Sequence, residues 1–209
     1  MKKLLALCCL LFGLSAVAHA AGDAPTDVIK DASRQILDVL KQDNGKNTKQ
    51  IRQQAETLAV PMFDFQRMTA LAVGLGWRQA SAEQRTQLTQ QFQTLLVRTY
   101  SATMTRFKTA QVDVKPNPVM SNGDRDATVK TAVTLPGNAS PVAVDYTLNK
   151  GAQGWKIYNV SVEGASLVTV YRNSFNEEVR KNGVDGLIKL LQNKNAAPVA
   201  AAPAAKGNG

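Results

Sequence analysis

Residues 127–148 read ATVKTAVTLPGNASPVAVDYTL, and their alternation decides the fold class. Apolar or small residues recur at every second position on both sides of the Pro136-Gly137-Asn138 turn. They are Ala127, Val129, Thr131, Val133 and Leu135, followed by Val142, Val144, Tyr146 and Leu148. A period of two is typical of strands that bury one face. With a short turn rich in Pro, Gly and Asn between them, the two segments predict an antiparallel pair.

Two further strands are predicted around this pair. Val112 and Val114 alternate upstream, before a turn at residues 121–123. Downstream, a turn at residues 150–154 leads to Trp155, Ile157, Tyr158, Val160 and Val162. Short connections between successive strands favour an antiparallel meander. We therefore predict a four-stranded antiparallel sheet.

Helical spacing is found before the sheet. A first helix, capped by Thr26, ends at Asn44-Gly45, and a second, with Ile51, stops before Pro61. A third is predicted for residues 63–73, terminated by Gly74 and Gly76. Ser81 and Gln84 then match a capping box, which begins the helix predicted to be the longest. Its apolar stripe comprises Leu88, Phe92, Leu95, Leu96, Thr99, Tyr100, Met104 and Phe107.

Helical spacing returns after the sheet. One helix carries Leu167 to Phe175 and is closed by Asn182-Gly183. A last short helix is capped by Asp185. The order of helices, four strands and helices predicts an α+β fold, with the helices before and after the sheet gathered on one of its faces.

Both ends of the chain have the composition of segments outside this domain. Lys2 and Lys3, the apolar run at residues 4–14 and the Ala18-His19-Ala20 site predict a signal peptide over residues 1–20, cleaved before Ala21. Leu7 stands before Cys8 where a lipoprotein signal needs a small residue, which argues against lipidation. We expect the domain to span residues 21–194, followed by a disordered Ala/Pro-rich tail at residues 195–209.

Cleavage would remove both cysteines, Cys8 and Cys9, and the single histidine, His19. Disulfides, thiolate nucleophiles, Ser-His-Asp chemistry and Cys/His metal sites are then excluded from the mature chain, and we expect no metal and no cofactor. The formal net charge is +9, of which Lys2 and Lys3 supply two charges. A basic surface indicates an anionic membrane or an acidic partner, and secretion argues against nucleic acid.

Two interpretations of the apolar positions stay open, because periodicity does not distinguish a filled core from a cavity. In the cavity interpretation, the sheet forms a concave floor beneath the longest helix, and the helix after the sheet closes one side. The residues predicted to line such a cavity are Phe92, Leu96, Tyr100, Phe107, Val129, Val133, Val142, Val144, Tyr146, Leu148, Tyr171 and Phe175. Arg98, Arg106, Lys108 and Arg172 are weaker candidates for a phosphate or docking contact near its mouth.

An enzymatic interpretation has few residues to use. The candidates on or near the sheet are Asp113, Asp126, Asp145, Tyr146, Tyr158 and Glu163. An Asp base beside a Tyr donor is the arrangement of ketosteroid isomerase. Asp145 and Tyr146 are adjacent in a strand, however, so they point to opposite faces. We assign no catalytic residue and expect a protein that is not an enzyme.

Several segments in a fixed order carry a family resemblance. They are WRQAS at residues 77–81, FQTLLVRTY at residues 92–100, VAVDYTL at residues 142–148, GWKIYNV at residues 154–160, VEGASLV at residues 162–168 and GVDGLI at residues 183–188. Together they resemble the MlaC family, the toluene-tolerance-type periplasmic phospholipid-binding proteins of Gram-negative bacteria. Asn159 replaces the acidic residue expected in this pattern.

The resemblance implies a fold with a four-stranded sheet and a deep apolar pocket for phospholipid tails. It implies a shuttle between an inner-membrane ABC transporter complex with an MCE-domain protein and an outer-membrane lipoprotein–porin complex. This transport would maintain outer-membrane lipid asymmetry. The alternative function is a periplasmic chaperone or lipoprotein carrier, which also exposes apolar surface and needs no catalytic group.

Overall fold

The structure, a computed structural model, describes residues 24–137 and 140–198. The predicted signal peptide and residues 199–209 of the predicted tail lie outside these ranges. The helices before the sheet are α1 (Pro25–Leu40), α2 (Thr48–Ala59), α3 (Phe65–Val73), α4 (Leu75–Gln79) and α5 (Ala82–Met104). Within the described ranges, no helix is both long enough and apolar enough to cross a membrane.

The described part of the sheet has six strands rather than the predicted four. They are β1 (Gln111–Val114), β2 (Val119–Ser121), β3 (Asp126–Thr134), β4 (Val142–Gly151), β5 (Gly154–Val162) and β6 (Ala165–Ser166). All pairings between them are antiparallel, in the order β1-β3-β4-β5-β6, and β2 also pairs with β3. The α+β class and the meander are therefore confirmed, and the strand count is corrected.

The two additional strands are short, and this is why the alternation did not predict them. β1 pairs with the C-terminal part of β3 and β2 with its N-terminal part, so the two share one edge of the sheet. Pro116 and Pro118 lie between them, and proline lacks the N–H that a ladder needs. β6 has two residues, too few to show a period.

The predicted inward face of the central strands is the buried one. Ala127, Val129, Thr131 and Val133 are buried in β3, whereas Lys130 and Thr134 are exposed. Ile29 of α1 packs on this face with Val129, Leu148 and Ile157. The register between β4 and β5 shifts after Thr147, as in a β-bulge.

Local signals mark several helix boundaries. The Ser81–Gln84 capping box is present, with both reciprocal hydrogen bonds formed. The cap of α1 is Ala24 rather than the predicted Thr26, because Pro25 takes the first helical position and Thr26 is buried inside the helix. Gly74, with a φ of 63°, ends α3 as predicted. Gly76 does not terminate a helix, since it lies inside α4.

The last helix, α6 (Leu167–Ala196), is longer than α5 and is broken once. Gly183, with φ 70° and ψ −173°, interrupts it where the sequence predicted a helix end. The C-terminal half continues through Ala196, two residues into the predicted tail. Asn195 is buried there, and its side-chain amide donates to the backbone oxygen of Gln91 on α5 at 2.9 Å.

Candidate functional site

An apolar cavity of about 280 Å³ lies between the helices and the sheet. Its volume is near the lower end of the range for ligand pockets, about 300–1,000 Å³. Helix α5 contributes one wall, with Leu96, Val97, Tyr100, Ser101 and Met104. These residues recur at helical spacing, so they share one face of the helix.

The sheet and the start of α6 form the opposite wall. Tyr146 of β4 lies across from Val160 of β5, and both line the cavity together with Val162 and Leu167. Residues two apart on a strand point to the same face, which explains why Val160 and Val162 both line the cavity. Burial raises the pKa of the Tyr146 phenol, so this side chain stays neutral.

The third wall comes from the end of α2, the start of α3 and the segment that links them. Its lining residues are Glu56, Ala59, Val60, Phe63, Phe65 and Met68. The rings of Phe63 and Phe65 stack with their centroids 5.5 Å apart. Phe63 forms a parallel bridge with Ile157 of β5, and the Lys156 ammonium donates to the carbonyl oxygen of Pro61 at 2.7 Å. These contacts hold the wall against the sheet.

A polar groove of about 680 Å³ shares Glu56, Val60 and Val97 with the cavity. Beyond the shared residues it is lined by Gln53, Thr57, Pro61, Gln93, Thr94 and Arg98. Glu56 is the carboxylate of the described cavity lining, and because it also lines the groove it stands at the boundary between the apolar interior and the groove. The arrangement suits an amphiphilic molecule with an apolar part inside and a polar part outside.

Of the predicted cavity residues, Leu96, Tyr100 and Tyr146 line the cavity. Three others form a packed aromatic cluster in the helical core instead. The rings of Phe92 and Tyr171 are 5.1 Å apart, and those of Phe92 and Phe175 are 5.2 Å apart. Phe92 and Phe175 are almost fully buried. Their edge-to-face packing explains why they belong to the filled core rather than to the cavity lining.

The remaining predicted positions lie along the sheet or beyond α5. Val129 and Leu148 are fully buried beneath α1, and Val144 packs against the same core. Val133 and Val142 pair at the far end of β3 and β4. Phe107, in a 3₁₀ turn after α5, is 37% exposed. None of these six is among the residues that line the described cavity.

The weaker basic candidates are spread over the surface. Arg98 alone lines the groove, and its guanidinium donates to the carbonyl oxygens of Asn195 and Ala197 at the end of α6. Arg172 donates to the carbonyl oxygen of Leu71 at 3.1 Å, and Lys108 to that of Asp43 at 3.4 Å. Arg106 is exposed in the 3₁₀ turn after α5.

Many of the lining residues missed from the sequence lie in α2, in α3 or in the segment between them. Phe63 was predicted to lie in a helix, but Asp64 caps α3 and leaves Phe63 extended. The Asp64 carboxylate accepts from the backbone N–H of Arg67 at 2.8 Å. An Asp three residues before this N–H is a helix-start signal, so this boundary was available in the sequence.

The acidic candidates of the enzymatic interpretation have structural partners. Asp126 is buried and accepts from Asn149 at 2.7 Å and from Asn122 at 3.0 Å, and it pairs with Arg67 at 3.1 Å. Burial by itself raises the pKa of Asp126, but these hydrogen bonds and the Arg67 charge outweigh it and hold the pKa below its usual range. Asp126 is therefore a structural anion.

The other candidates are separated from one another. Asp113 pairs with Lys115 at 2.5 Å, and Glu163 accepts from the backbone N–H of Ala143 at 2.5 Å. Asp145 lies opposite Lys130 on β3, on the sheet face away from the cavity-lining Tyr146. The Tyr158 ring lies under the Arg67 guanidinium at 3.9 Å. Among the described residues, no group of three or more acidic, His or Cys side chains is placed to hold a metal ion.

Asn159, the departure from the family pattern, takes part in the start of α6. Its side-chain oxygen accepts from the Ser166 hydroxyl at 2.8 Å and from the Val168 backbone N–H at 3.4 Å. Ser166 caps the same helix through the N–H of Thr169. An aspartate has the same acceptor oxygen, so the replacement preserves this arrangement.

Comparison with known proteins agrees with the resemblance seen in the sequence. The family model described as MlaC protein matches residues 30–193. A toluene tolerance protein of Pseudomonas putida is 23% identical over 169 residues, covering 79% of this chain and 77% of the relative. The intermembrane phospholipid transport system binding protein MlaC of Haemophilus influenzae is 20% identical over 176 residues, covering 79% and 81%.

A solved structure shares the fold. It is the phospholipid-binding protein from Ralstonia solanacearum in complex with a phospholipid, at 1.53 Å resolution. The two structures align with a TM-score of 0.72 and 34% sequence identity, over 82% of this chain and 96% of that chain.

Proposed function

The chain belongs to the MlaC protein family, and from this premise we propose that it is a periplasmic carrier that holds phospholipid acyl chains in its apolar cavity. The observation that carries the proposal is the cavity between α5, the Val60–Phe65 segment and strands β4 and β5. Its apolar interior opens beside a polar groove, as an amphiphile requires. The phospholipid bound by the Ralstonia relative supports the same ligand class.

A carrier of this kind has a physical rationale. Burial of one methylene is worth about 0.8 kcal/mol, so a diacyl lipid with about thirty methylenes faces a cost of about 25 kcal/mol on release into water. When the acyl tails move from the bilayer into an apolar cavity, they pass from one apolar medium to another, so most of this cost is avoided. Transfer then needs a dry route between membrane and protein, and it needs no covalent chemistry.

We also propose that the chain is not an enzyme. The carboxylates of Asp126, Asp113 and Glu163 are engaged in structural contacts. The Tyr146 phenol faces the cavity without Asp145 beside it, because the two residues point to opposite faces of β4. This arrangement favours binding over acid–base catalysis.

The proposed route connects two membranes. The predicted signal peptide supports a periplasmic location of the mature chain. There it would exchange lipid with an inner-membrane ABC transporter complex that has an MCE-domain protein and with an outer-membrane lipoprotein–porin complex, and so maintain outer-membrane asymmetry. The Haemophilus relative is named as a binding protein of an intermembrane phospholipid transport system, which supports a route between two membranes, and the two complexes are part of the proposal.

Native mass spectrometry of the mature protein purified from cells, with lipid extraction of the same sample, tests the proposal. A bound mass that resolves into phospholipids is the expected result. A bare mass with no uptake from added phospholipid vesicles would overturn it. A co-purified polypeptide or lipoprotein in place of phospholipid would instead favour the chaperone or lipoprotein carrier.

A further inference from the structure

The polar groove at the cavity mouth is electrically balanced, although the chain as a whole is basic. The formal net charge of the chain is +9. Among the described residues that line the groove, however, one is acidic, Glu56, and one is basic, Arg98. The other polar lining residues are uncharged amides and hydroxyls at Gln53, Thr57, Gln93 and Thr94. The lining of the groove therefore presents one charge of each sign to a head group, with Arg52 beside Glu56 as its ion-pair partner.

Glu56 is placed to meet a cation at the point where the apolar tails end. It lines both the cavity and the groove, and its side chain is 27% exposed. Its partner is Arg52, one helical turn earlier, with 3.7 Å between Nε and Oε1. This separation is beyond hydrogen-bonding distance, so the carboxylate oxygens keep acceptor capacity for another donor.

Arg98 supplies the opposite charge on α5. Two of its N–H groups donate to the carbonyl oxygens of Asn195 and Ala197, which holds the guanidinium in place. A guanidinium has five N–H donors, so three remain for an anion. A fixed guanidinium with free donors is well suited to phosphate recognition.

We propose that this groove recognises a zwitterionic, amine-bearing phospholipid head group, with its ammonium facing Glu56 and its phosphate facing Arg98. The inference rests on the proposed function and deepens it by naming the preferred lipid class. A net anionic lipid such as phosphatidylglycerol has the phosphate but lacks the ammonium. It therefore gives Glu56 no second cation besides Arg52, and its uncompensated phosphate charge is repelled by this carboxylate.

The test uses mixed vesicles with equal amounts of palmitoyl-oleoyl phosphatidylethanolamine and palmitoyl-oleoyl phosphatidylglycerol, whose acyl chains are identical. The delipidated mature protein is incubated with these vesicles at pH 7.5 and separated from them, and its bound lipids are extracted and quantified. The basic chain is attracted to the anionic vesicle surface in all variants, and this attraction favours phosphatidylglycerol. A preference for phosphatidylethanolamine thus reports on the groove.

Glu56→Gln is the diagnostic variant, and Glu177→Gln is the matched control. Both remove one negative charge and one i,i+4 ion pair, that of Glu177 being with Lys181 on α6. Loss of such partly exposed pairs has little effect on folding. We expect the wild type and Glu177→Gln to retain more phosphatidylethanolamine than phosphatidylglycerol. Glu56→Gln should reduce this ratio by up to about fivefold, the usual size of one exposed ionic contact.

Lipid uptake without preference in the wild type, or a ratio unchanged by Glu56→Gln, would overturn the head-group inference and leave the carrier proposal intact. Absence of any lipid uptake by the wild type would overturn both. The two failures are therefore distinguishable in one experiment.

Discussion

The backbone N–H of Asp64 donates a hydrogen bond to the carbonyl oxygen of Ile157 at 2.8 Å, and this contact joins the cavity wall to the sheet. The donor belongs to the turn between α2 and α3, and the acceptor to β5. Phe63, just before the donor, packs against both the helical core and the core beneath α1. One backbone contact thus positions a ring that belongs to two cores and to the cavity lining.

Replacement of Phe63 by Ala should destabilise the protein and enlarge the cavity. The ring is partly buried and packs against both cores, so its truncation should cost about 2 kcal/mol, less than the roughly 3–5 kcal/mol of a fully buried Phe. Phe107→Ala is the control, because Phe107 is 37% exposed and its truncation should cost less than about 1 kcal/mol. Urea unfolding measures both free energies. If the two variants lost the same amount of unfolding free energy, the packing of Phe63 against both cores would not contribute to stability as we expect.

An aromatic ring at position 101 should block the cavity. Ser101 is buried and lines the cavity, so Ser101→Phe places its ring inside, with an overpacking cost of about 1–3 kcal/mol. Ala102 is exposed on the same helix, which makes Ala102→Phe the matched control. We expect co-purified phospholipid to fall at least about fivefold in Ser101→Phe only. Undiminished lipid in a folded Ser101→Phe variant would place the binding site elsewhere.

Asp126 should make stability depend on pH in the acid range. Its hydrogen bonds and its pairing with Arg67 hold its pKa below the usual value of 3.8 despite burial. A carboxyl with a lowered folded-state pKa stabilises the fold above its unfolded pKa, and this stabilisation disappears as the pH falls through the folded pKa. The free energy of unfolding of the wild type should therefore fall below about pH 4.

Asp126→Asn removes this titration, so its stability should be lower than that of the wild type at pH 7, by about 1.5–3 kcal/mol. The difference should shrink as the pH decreases toward 2. Denaturant unfolding at a series of pH values measures the two curves. Parallel curves for wild type and variant would show that Asp126 does not titrate differently in the folded state.

All four tyrosines should resist ionisation in the folded protein. Burial is the main cause that raises the pKa of each phenol, at Tyr100, Tyr146, Tyr158 and Tyr171. Groups with a raised folded-state pKa contribute stability that is present below the unfolded pKa, near 10, and is lost above it. Tyrosinate absorbance at pH 10 should therefore be well below the half-ionised level and should reach that level in denaturant. Normal titration of the folded protein would be inconsistent with these buried positions.

The break in α6 should require glycine. Gly183 has φ 70° and ψ −173°, a region that is essentially restricted to glycine and costs other residues about 1–3 kcal/mol. No atom lies within 4 Å of an added Cβ, so Gly183→Ala measures backbone strain alone. Gly151→Ala is the control, since its added Cβ also meets open space and its φ is ordinary. Equal melting temperatures of the two variants would indicate that the break does not depend on glycine.

Much of the fold was predictable because it depends on local patterns. The alternation at Ala127, Val129 and Val133 identified the buried face of β3, and the Ser81–Gln84 capping box identified the start of α5. Pro116 and Pro118 separate β1 from β2, and the three residues of β2 are too few to show a period. Sequence patterns thus identified the long elements and missed the short ones.

The cavity lining was only partly predictable, since it depends on what packs against each helix face. Leu96 and Phe92 lie one turn apart on the same stripe of α5, and the sequence alone does not distinguish them. Phe92 meets Tyr171 and Phe175 of α6 and becomes core, whereas Leu96 lines the cavity shared with the Val60–Phe65 segment and β5. The class of fold, the buried face and several helix boundaries therefore follow from sequence periodicity and capping. The division between core and cavity was decided only by the tertiary structure, because a void forms where separate elements meet without filling the space between them.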